Sequence, residues 1–198
     1  MSPRKTEQWQ ALKKKKKEEI CHAGLQLFAR KGFHQTTIDE IAQQAGISKG
    51  LLYNYFASKD DLLDQIILKA IKEIENIFDP NHDGILTAEE FEYFINAYLK
   101  LLTEKPAYWR LIFYLMLQPD VQSTLKKIQA QVTAAKIFQM LEQYLERQGF
   151  PNAKQETQVI HYIFDGLTWN YIMNPDDTQI ALVKDLILDR YVTPFKQG

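Results

Sequence analysis

Residues 79–90 carry oxygen-bearing side chains at the spacing that a calcium ion requires. The run reads Asp-Pro-Asn-His-Asp-Gly-Ile-Leu-Thr-Ala-Glu-Glu, with a glycine in sixth place, where the chain must turn sharply. A glutamate in twelfth place supplies two carboxylate oxygens to the same point. The predicted calcium ligands are Asp79, Asn81, Asp83, Ile85 through its carbonyl, Thr87 and Glu90.

This loop resembles the calcium loop of an EF-hand, and apolar residues on both sides predict its flanking helices. A plain helical hairpin explains the same residues. Asn-His-Asp-Gly is a good turn, and Thr87 with Glu90 forms a capping box for the next helix. The sequence leaves both alternatives open. No cofactor is required, and calcium is the one candidate ion.

Other chemistry is not indicated. No Ser/His/Asp, Cys/His, phosphate-loop or zinc-ligand spacing occurs in the sequence, so we predict that the protein is not an enzyme. His161 and Asp165, four residues apart on a predicted helix, are interpreted as a local hydrogen bond, with a metal or catalytic pair as the alternative. Cys21 is the single cysteine, which favours a reducing compartment. No apolar run reaches the roughly 18 residues of a membrane span, so we expect a cytoplasmic protein without a membrane partner.

The charge of the chain is divided unevenly between its two ends. Residues 1–59 hold 11 Lys and Arg against five Asp and Glu, a net charge of +6. The remaining residues carry 13 basic and 20 acidic side chains, a net charge of −7. A basic end on an acidic body is typical of a protein that meets a polyanion at one end only. Residues 1–12 are expected to be loosely ordered, and the five lysines at 13–17 to begin the first helix.

Residues 36–63 must position any contact with that polyanion. They predict two short helices joined by a tight turn, with a third helix starting directly afterwards. Thr37 and Glu40 form a capping box for the first helix, and Gly46 supplies the positive φ that ends it. Ser48 caps the second helix. This order of helix, glycine-containing turn and helix is the helix-turn-helix geometry that enters the DNA major groove.

The same residues resemble the N-terminal DNA-binding domain of the tetracycline-repressor (TetR) family, over about residues 15–65. The resemblance rests on Phe33, Thr36-Thr37-Ile38, Ile41-Ala42, Ala45-Gly46-Ile47-Ser48-Lys49-Gly50, Leu52-Tyr53, Tyr55-Phe56, Ser58-Lys59 and Leu62. It implies an all-α homodimeric repressor that leaves a palindromic, double-stranded DNA operator when a small-molecule effector binds its larger C-terminal half. The alternative function is a calcium-responsive regulator in which loop 79–90 is the input.

Roles in DNA binding follow from position on the second short helix. Lys49 would reach guanine or phosphate, Leu51 a thymine methyl group and Asn54 an adenine, while Gly50 lets the backbone approach closely. The resemblance implies phosphate contacts for Thr37, Tyr53 and Lys59. The full predicted DNA-binding set is Thr37, Ser48, Lys49, Gly50, Leu51, Tyr53, Asn54 and Lys59.

Beyond residue 58 the helical period continues, and about nine helices are predicted in all. We expect a DNA-binding domain with a basic arm at 1–57 and an effector-binding and dimerisation domain at 58–198. The segment 106–118 is apolar nearly all round, which predicts burial in the middle of a bundle. By resemblance, the last two helices pair with those of a second copy. The predicted ligand-pocket residues are Trp109, Phe113, Met116, Phe138 and Tyr162.

Overall fold

The computed structural model describes residues 3–119, 121 and 134–196 of the chain. Within these residues every long regular element is an α-helix and no strand occurs, so the predicted all-α class is confirmed. The helices are α1 (Pro3–Lys31), α2 (Ile38–Gln44), α3 (Lys49–Tyr53), α4 (Lys59–Phe78), α5 (Ala88–Glu104), α6 (Pro106–Met116), α7 (Ala134–Arg147), α8 (Ala153–Met173) and α9 (Asp177–Tyr191), followed by a 3₁₀ turn at Thr193–Phe195. None of these helices is long and apolar enough to cross a bilayer.

Helix α1 begins earlier than the sequence suggested. The expectation of loose order is wrong for residues 3–12, which are helical. Proline is well suited to the first turn, and the residues after it are mostly Lys, Gln, Glu, Ala and Leu, which favour helix. No glycine interrupts the run before Gly24, so nothing local ends the helix where order was expected to begin.

The described residues form two compact units. The first contains residues 3–70 with 111–119 and 121, and the second contains 71–110 and 134–196. The division between these compact units lies inside α4, and the functional domain boundary expected at residue 57 stays a prediction. The division lies there because the first half of α4 packs on α1, where a Cβ atom at Gly24 would lie 2.9 Å from Leu62 Cδ2. Glycine at this position lets the two helices approach closely.

The second unit is built around an aromatic core contributed by α4, α5 and α8. The ring centroids of Phe78 and Phe94 lie 4.8 Å apart, and those of Phe94 and Phe164 lie 5.5 Å apart. Such tilted and edge-on pairs contribute about 0.5–1.5 kcal/mol each beyond their buried area. The Tyr144 hydroxyl donates to the Tyr191 carbonyl at 2.6 Å, which joins α7 to the end of α9.

Helix α6 is less buried than its composition predicts. Ile112 and Leu115 are buried, but Tyr114 is 37% exposed, so the expected all-round burial is wrong. Aromatic residues with a polar tip tolerate partial exposure, which a count of apolar residues does not reveal. A long helix is predicted after Pro119, continuing to about residue 149, and α7 corresponds to its second half. Residues 122–133, in the first half of that prediction, lie outside the described ranges.

Candidate DNA interface and apolar cavity

Helix α3 presents one side to solvent and the other to the core of the first unit. Leu52 and Phe56 are fully buried. On the opposite side Leu51 is 38% exposed and Tyr53 is 48% exposed. The remaining predicted members of this face, Ser48, Lys49, Gly50 and Asn54, are also exposed. The structure therefore places the predicted reading residues of α3 together on one open surface.

Two hydrogen bonds fix the start of α3. The Ser48 hydroxyl accepts the Leu51 N–H at 3.2 Å, which makes Ser48 the N-cap that the sequence predicts. Lys49 Nζ donates to Asp39 Oδ2 at 2.8 Å, and this carboxylate raises the pKa of Lys49. Both partners are more than half exposed, so the pair is exchangeable with another anion such as a phosphate.

Thr37 forms the capping box expected at the start of α2. Its hydroxyl accepts the Glu40 N–H at 3.2 Å, and the Glu40 carboxylate accepts the Thr37 N–H at 2.9 Å. Lys31, together with the two Thr37 donors, lowers the pKa of Glu40 to about 2. The Thr37 side chain is thus part of the local fold as well as an exposed member of the predicted phosphate-binding set.

Lys59 is held by backbone oxygens of the turn before α2. Its ammonium donates to the carbonyls of Phe33 at 2.8 Å and Thr36 at 2.9 Å, with His34 at 3.4 Å. It also lies 4.5 Å from the centroid of the Phe33 ring. These contacts give Lys59 a structural role at the joint between α1, α2 and α4. Its phosphate contact stays a prediction.

Gln118 is a residue of this region that the sequence did not reveal. Its Nε2 donates to the Phe28 carbonyl at 2.8 Å, and its Oε1 accepts the Phe33 N–H at 3.2 Å. The side chain therefore satisfies two backbone groups at the end of α1. It comes from more than 80 residues along the chain, and no local pattern predicts such a contact.

The lysines predicted for the basic arm lie along α1. Lys13, Lys14 and Lys15 are exposed, whereas Lys17 Nζ lies 5.4 Å from the Phe56 ring centroid and donates to Gln65 at 3.2 Å. Lys16 pairs with Glu19. Three of the five lysines are therefore exposed to solvent, although Lys13 Nζ also lies 5.4 Å from the centroid of the Trp9 ring.

Loop 79–90 is closed by hydrogen bonds among its own side chains. Asn81 Nδ2 donates to Asp83 Oδ2 at 3.0 Å and to Glu90 Oε1 at 2.9 Å. The Thr87 hydroxyl accepts the Glu90 N–H at 3.1 Å, and Glu90 returns the bond by accepting the Thr87 N–H at 2.9 Å. The capping box required by the helical-hairpin alternative is thus present.

Asp79, the first of the predicted calcium ligands, is buried and already paired. Its carboxylate accepts hydrogen bonds from Lys136 Nζ at 2.6 Å and from the Gly84 N–H at 3.4 Å. Burial raises the pKa of Asp79, but these two donors outweigh it, and the net pKa is lowered.

The described part of the chain has no group of three or more His, Cys, Asp and Glu side chains arranged to hold a metal ion. The loop geometry gives the calcium site no support, and the ligand set of Asp79, Asn81, Asp83, Ile85, Thr87 and Glu90 stays a prediction.

A cavity of about 250 Å³ lies within the second unit, between α4, α5, α7 and α8. Its wall is mostly aromatic and aliphatic. The residues that line it are Ile71, Ile74, Phe78, Phe91, Phe94, Tyr98, Ile137, Phe138, Leu141, Thr157, Ile160, His161, Phe164 and Asp165. A small apolar cavity with a few polar groups is the usual form of a small-molecule site.

Of the five residues predicted to line a ligand pocket, one lines this cavity. Phe138 lines it, but Trp109, Phe113 and Met116 of α6 do not. Tyr162 is 66% exposed, and it lies in a separate groove between α8 and α9. The cavity-facing positions of α8 follow a helical period through Thr157, Ile160, His161 and Phe164, so Tyr162 falls on another side of the helix.

Comparison with known proteins gives sequence matches that include the helix-turn-helix region. Residues 20–66, from the middle of α1 to the first half of α4, match the tetR family of bacterial regulatory proteins. Over 48 residues the chain is 56% identical to the HTH-type transcriptional regulator YerO of Bacillus subtilis, and over 101 residues it is 26% identical to the HTH-type transcriptional regulator LuxR of Vibrio harveyi. These matches cover 24% and 50% of this chain, but only 17% and 49% of the two relatives.

Solved structures extend the likeness to the whole fold. The regulator FadR of Bacillus subtilis, in complex with stearoyl-CoA, superposes with a TM-score of 0.66 at 20% identity, over 89% of this chain and 97% of that one. NalD of Pseudomonas aeruginosa, the secondary repressor of a multidrug efflux pump, superposes with a TM-score of 0.66 at 18% identity, over 94% and 99%. The chain is thus a helix-turn-helix protein with a TetR-like fold. The match to the tetR family is confined to residues 20–66.

Proposed function

We propose that the protein is a sequence-specific DNA-binding transcriptional regulator, acting as a homodimeric repressor that a small molecule releases from a palindromic operator. The observation that carries this proposal is the open face of α3. Its exposed side chains include the polar and apolar types that contact base edges in the major groove, while the buried Leu52 anchors the helix on the core of the first unit. The tetR-family match covers the same helix.

Two copies are needed to read both halves of a palindrome, and the last two helices offer a surface for pairing. Their exposed apolar side chains are unusual for a solvent-facing surface. They include Val159, Tyr162, Trp169, Met173, Leu182 and Leu186. An open groove of about 490 Å³ runs between α8 and α9 beside Tyr162. We propose that this face packs against the same face of a second copy.

Electrophoretic retardation of a pool of random duplexes tests DNA binding by the full chain. We expect retardation in dilute buffer that weakens steeply as salt is added, because lysines release counterions from phosphates. Replacing Lys13, Lys14 and Lys15 together by Gln should make the slope of log affinity against log salt shallower, by the amount expected for the loss of roughly three phosphate contacts.

The matched control replaces Lys72, Lys100 and Lys154, three exposed lysines of the second unit, by Gln. This variant loses the same charge and should retain the wild-type salt dependence. Failure of the wild-type chain to retard any duplex in dilute buffer would sink the proposal.

A further inference from the structure

We infer that the cavity of the second unit binds a compact, ring-bearing molecule that carries a hydrogen-bond donor and no negative charge, anchored on the Thr157 hydroxyl. The inference deepens the proposed function, because it names the chemical class of the effector. The role of the ligand as an effector rests on the proposed function. Binding of the ligand in the cavity does not depend on that function.

The size of the cavity favours compact ligands. An apolar cavity of about 150 Å³ accommodates benzene, and pockets for drug-sized ligands span roughly 300–1,000 Å³. At about 250 Å³ this cavity has room for one or two fused rings. A long acyl chain, such as that of the stearoyl-CoA in the FadR structure, would extend beyond this space.

Thr157 supplies the anchor. It is 2% exposed, and its hydroxyl oxygen is buried without a hydrogen-bond partner among the described residues. A buried hydroxyl in this state costs about 1–3 kcal/mol in the empty protein, which a ligand group of matching polarity recovers. Since Thr157 lines the cavity, its unused hydrogen-bonding capacity is available to a molecule inside.

The second polar group on the wall can only accept. Thr168 Oγ1 donates its single proton to the Phe164 carbonyl at 2.7 Å. In the 2.5 Å contact between Tyr98 and Thr168, Tyr98 must therefore be the donor. The Tyr98 oxygen keeps a free lone pair, and because burial raises the pKa of Tyr98 to about 12, the phenol stays protonated. With Thr157 also able to accept, the wall favours a ligand that donates.

Charge disfavours anions. Among the described residues that line the cavity none is Lys or Arg, and the ionisable groups are His161 and Asp165, whose Nε2 and Oδ2 atoms lie 3.3 Å apart. A carboxylate or phosphate would bring a second negative charge toward Asp165 and lose part of its own hydration. A neutral donor meets no such cost.

The aromatic wall favours a ring. Phe78, Phe94 and Phe164 all line the cavity and form consecutive edge-on and tilted contacts, with centroids 4.8 and 5.5 Å apart. A planar aromatic ligand extends this arrangement with the same geometry.

Calorimetric titration of the full chain, without DNA, tests the inference with four probes. Indole is a compact bicyclic donor, and benzothiophene has the same shape without the N–H group. Indole carboxylate adds a negative charge, and stearoyl-CoA adds length. We expect indole to bind and to be preferred over both the carboxylate and stearoyl-CoA by about tenfold or more.

The variant Thr157→Val keeps the shape of the side chain and removes the hydroxyl. It should reduce the ratio of indole to benzothiophene affinity by about fivefold, as expected for one hydrogen bond. Ile160→Val, a lining control that changes only volume, should leave that ratio unchanged. An unaltered ratio in Thr157→Val, tighter binding of either anionic probe, or no indole binding would each overturn the inference. None of these outcomes bears on DNA retardation, so the two proposals fail separately.

Discussion

Two threonines on α8 carry the same hydroxyl in opposite hydrogen-bonding states. Within the part of the chain that the structure describes, Thr157 Oγ1 is buried without a partner, whereas Thr168 Oγ1 both donates to the Phe164 carbonyl and accepts from the Tyr98 hydroxyl. We predict that Thr157→Val raises the free energy of unfolding by about 1 kcal/mol, and that Thr168→Val lowers it by about 1–3 kcal/mol by leaving the Tyr98 hydroxyl unpaired. Urea unfolding measures both values. Shifts of the same sign would contradict this account of the cavity wall.

The ammonium group of Lys59 has two candidate roles, one in stabilising the fold and one in binding phosphate. Held by the Phe33 and Thr36 carbonyls, it stabilises the turn before α2. We predict that Lys59→Met lowers the free energy of unfolding by about 1.5–3 kcal/mol, the usual contribution of hydrogen bonds to a charged group. If it also contacts phosphate, the slope of log affinity against log salt falls by about one. Unchanged stability with a reduced slope would assign it to phosphate alone.

Residue roles were predictable where they are local. Ser48 and Thr37 cap α3 and α2 as their spacing indicates, because a cap is decided by a few neighbouring residues. The carbonyl partners of Lys59 and the backbone contacts of Gln118 were not, since they depend on how distant segments meet.

At the scale of elements, helix boundaries followed their local signals closely. Gly46 has a φ of 66° in the turn directly after α2, as expected. Thr87 caps the start of α5 through its capping box with Glu90. The early start of α1 and the half-exposed α6 were missed. The exposure of α6 depends on which elements surround that helix, which its own sequence does not show, whereas the early start of α1 follows from helix-favouring residues whose local signal was underweighted.

Lys136 connects α7 to loop 79–90 and would compete with a calcium ion for Asp79. Its ammonium lies 2.6 Å from Asp79 Oδ2, so a calcium ion at the predicted site must displace it. We therefore predict that Lys136→Met tightens calcium binding by about fivefold or more, since a charge pair this close contributes at least ~1 kcal/mol. Calorimetric titration to millimolar calcium measures the change.

Glu90→Ala should remove the calcium response, while Lys154→Met, at an exposed lysine of the same unit, should leave it unaltered. No calcium heat from either the wild-type chain or Lys136→Met would discard the site and leave the loop as a helical hairpin.

At the scale of the whole molecule, the fold class was predictable because helical periodicity runs through most of the chain. The cavity was not, because its wall joins residues from 71 to 165 that look like ordinary core in sequence. Phe91, Phe94 and Tyr98 recur at helical spacing on α5, a pattern that predicts an apolar face without showing whether that face is filled.

Dimerisation through α8 and α9 makes a prediction at this scale. Leu186 is 61% exposed on α9, so its replacement by Arg should leave the fold intact and place a charge in the proposed interface. We expect Leu186→Arg to sediment as a monomer and to lose operator affinity. Tyr93→Arg, at a side chain 52% exposed on α5, is the matched control and should remain a dimer. A dimeric Leu186→Arg would place the interface elsewhere.

Selection of bound sites from random duplex DNA by the full chain tests the central claim most directly. A dimer that reads DNA through α3 predicts recovery of an inverted repeat, with half-sites centred about one helical turn apart. The double variant Leu51→Ala, Asn54→Ala should lose that preference while keeping non-specific, salt-dependent binding. Recovery of no common site, or of the same site by the double variant, would contradict it.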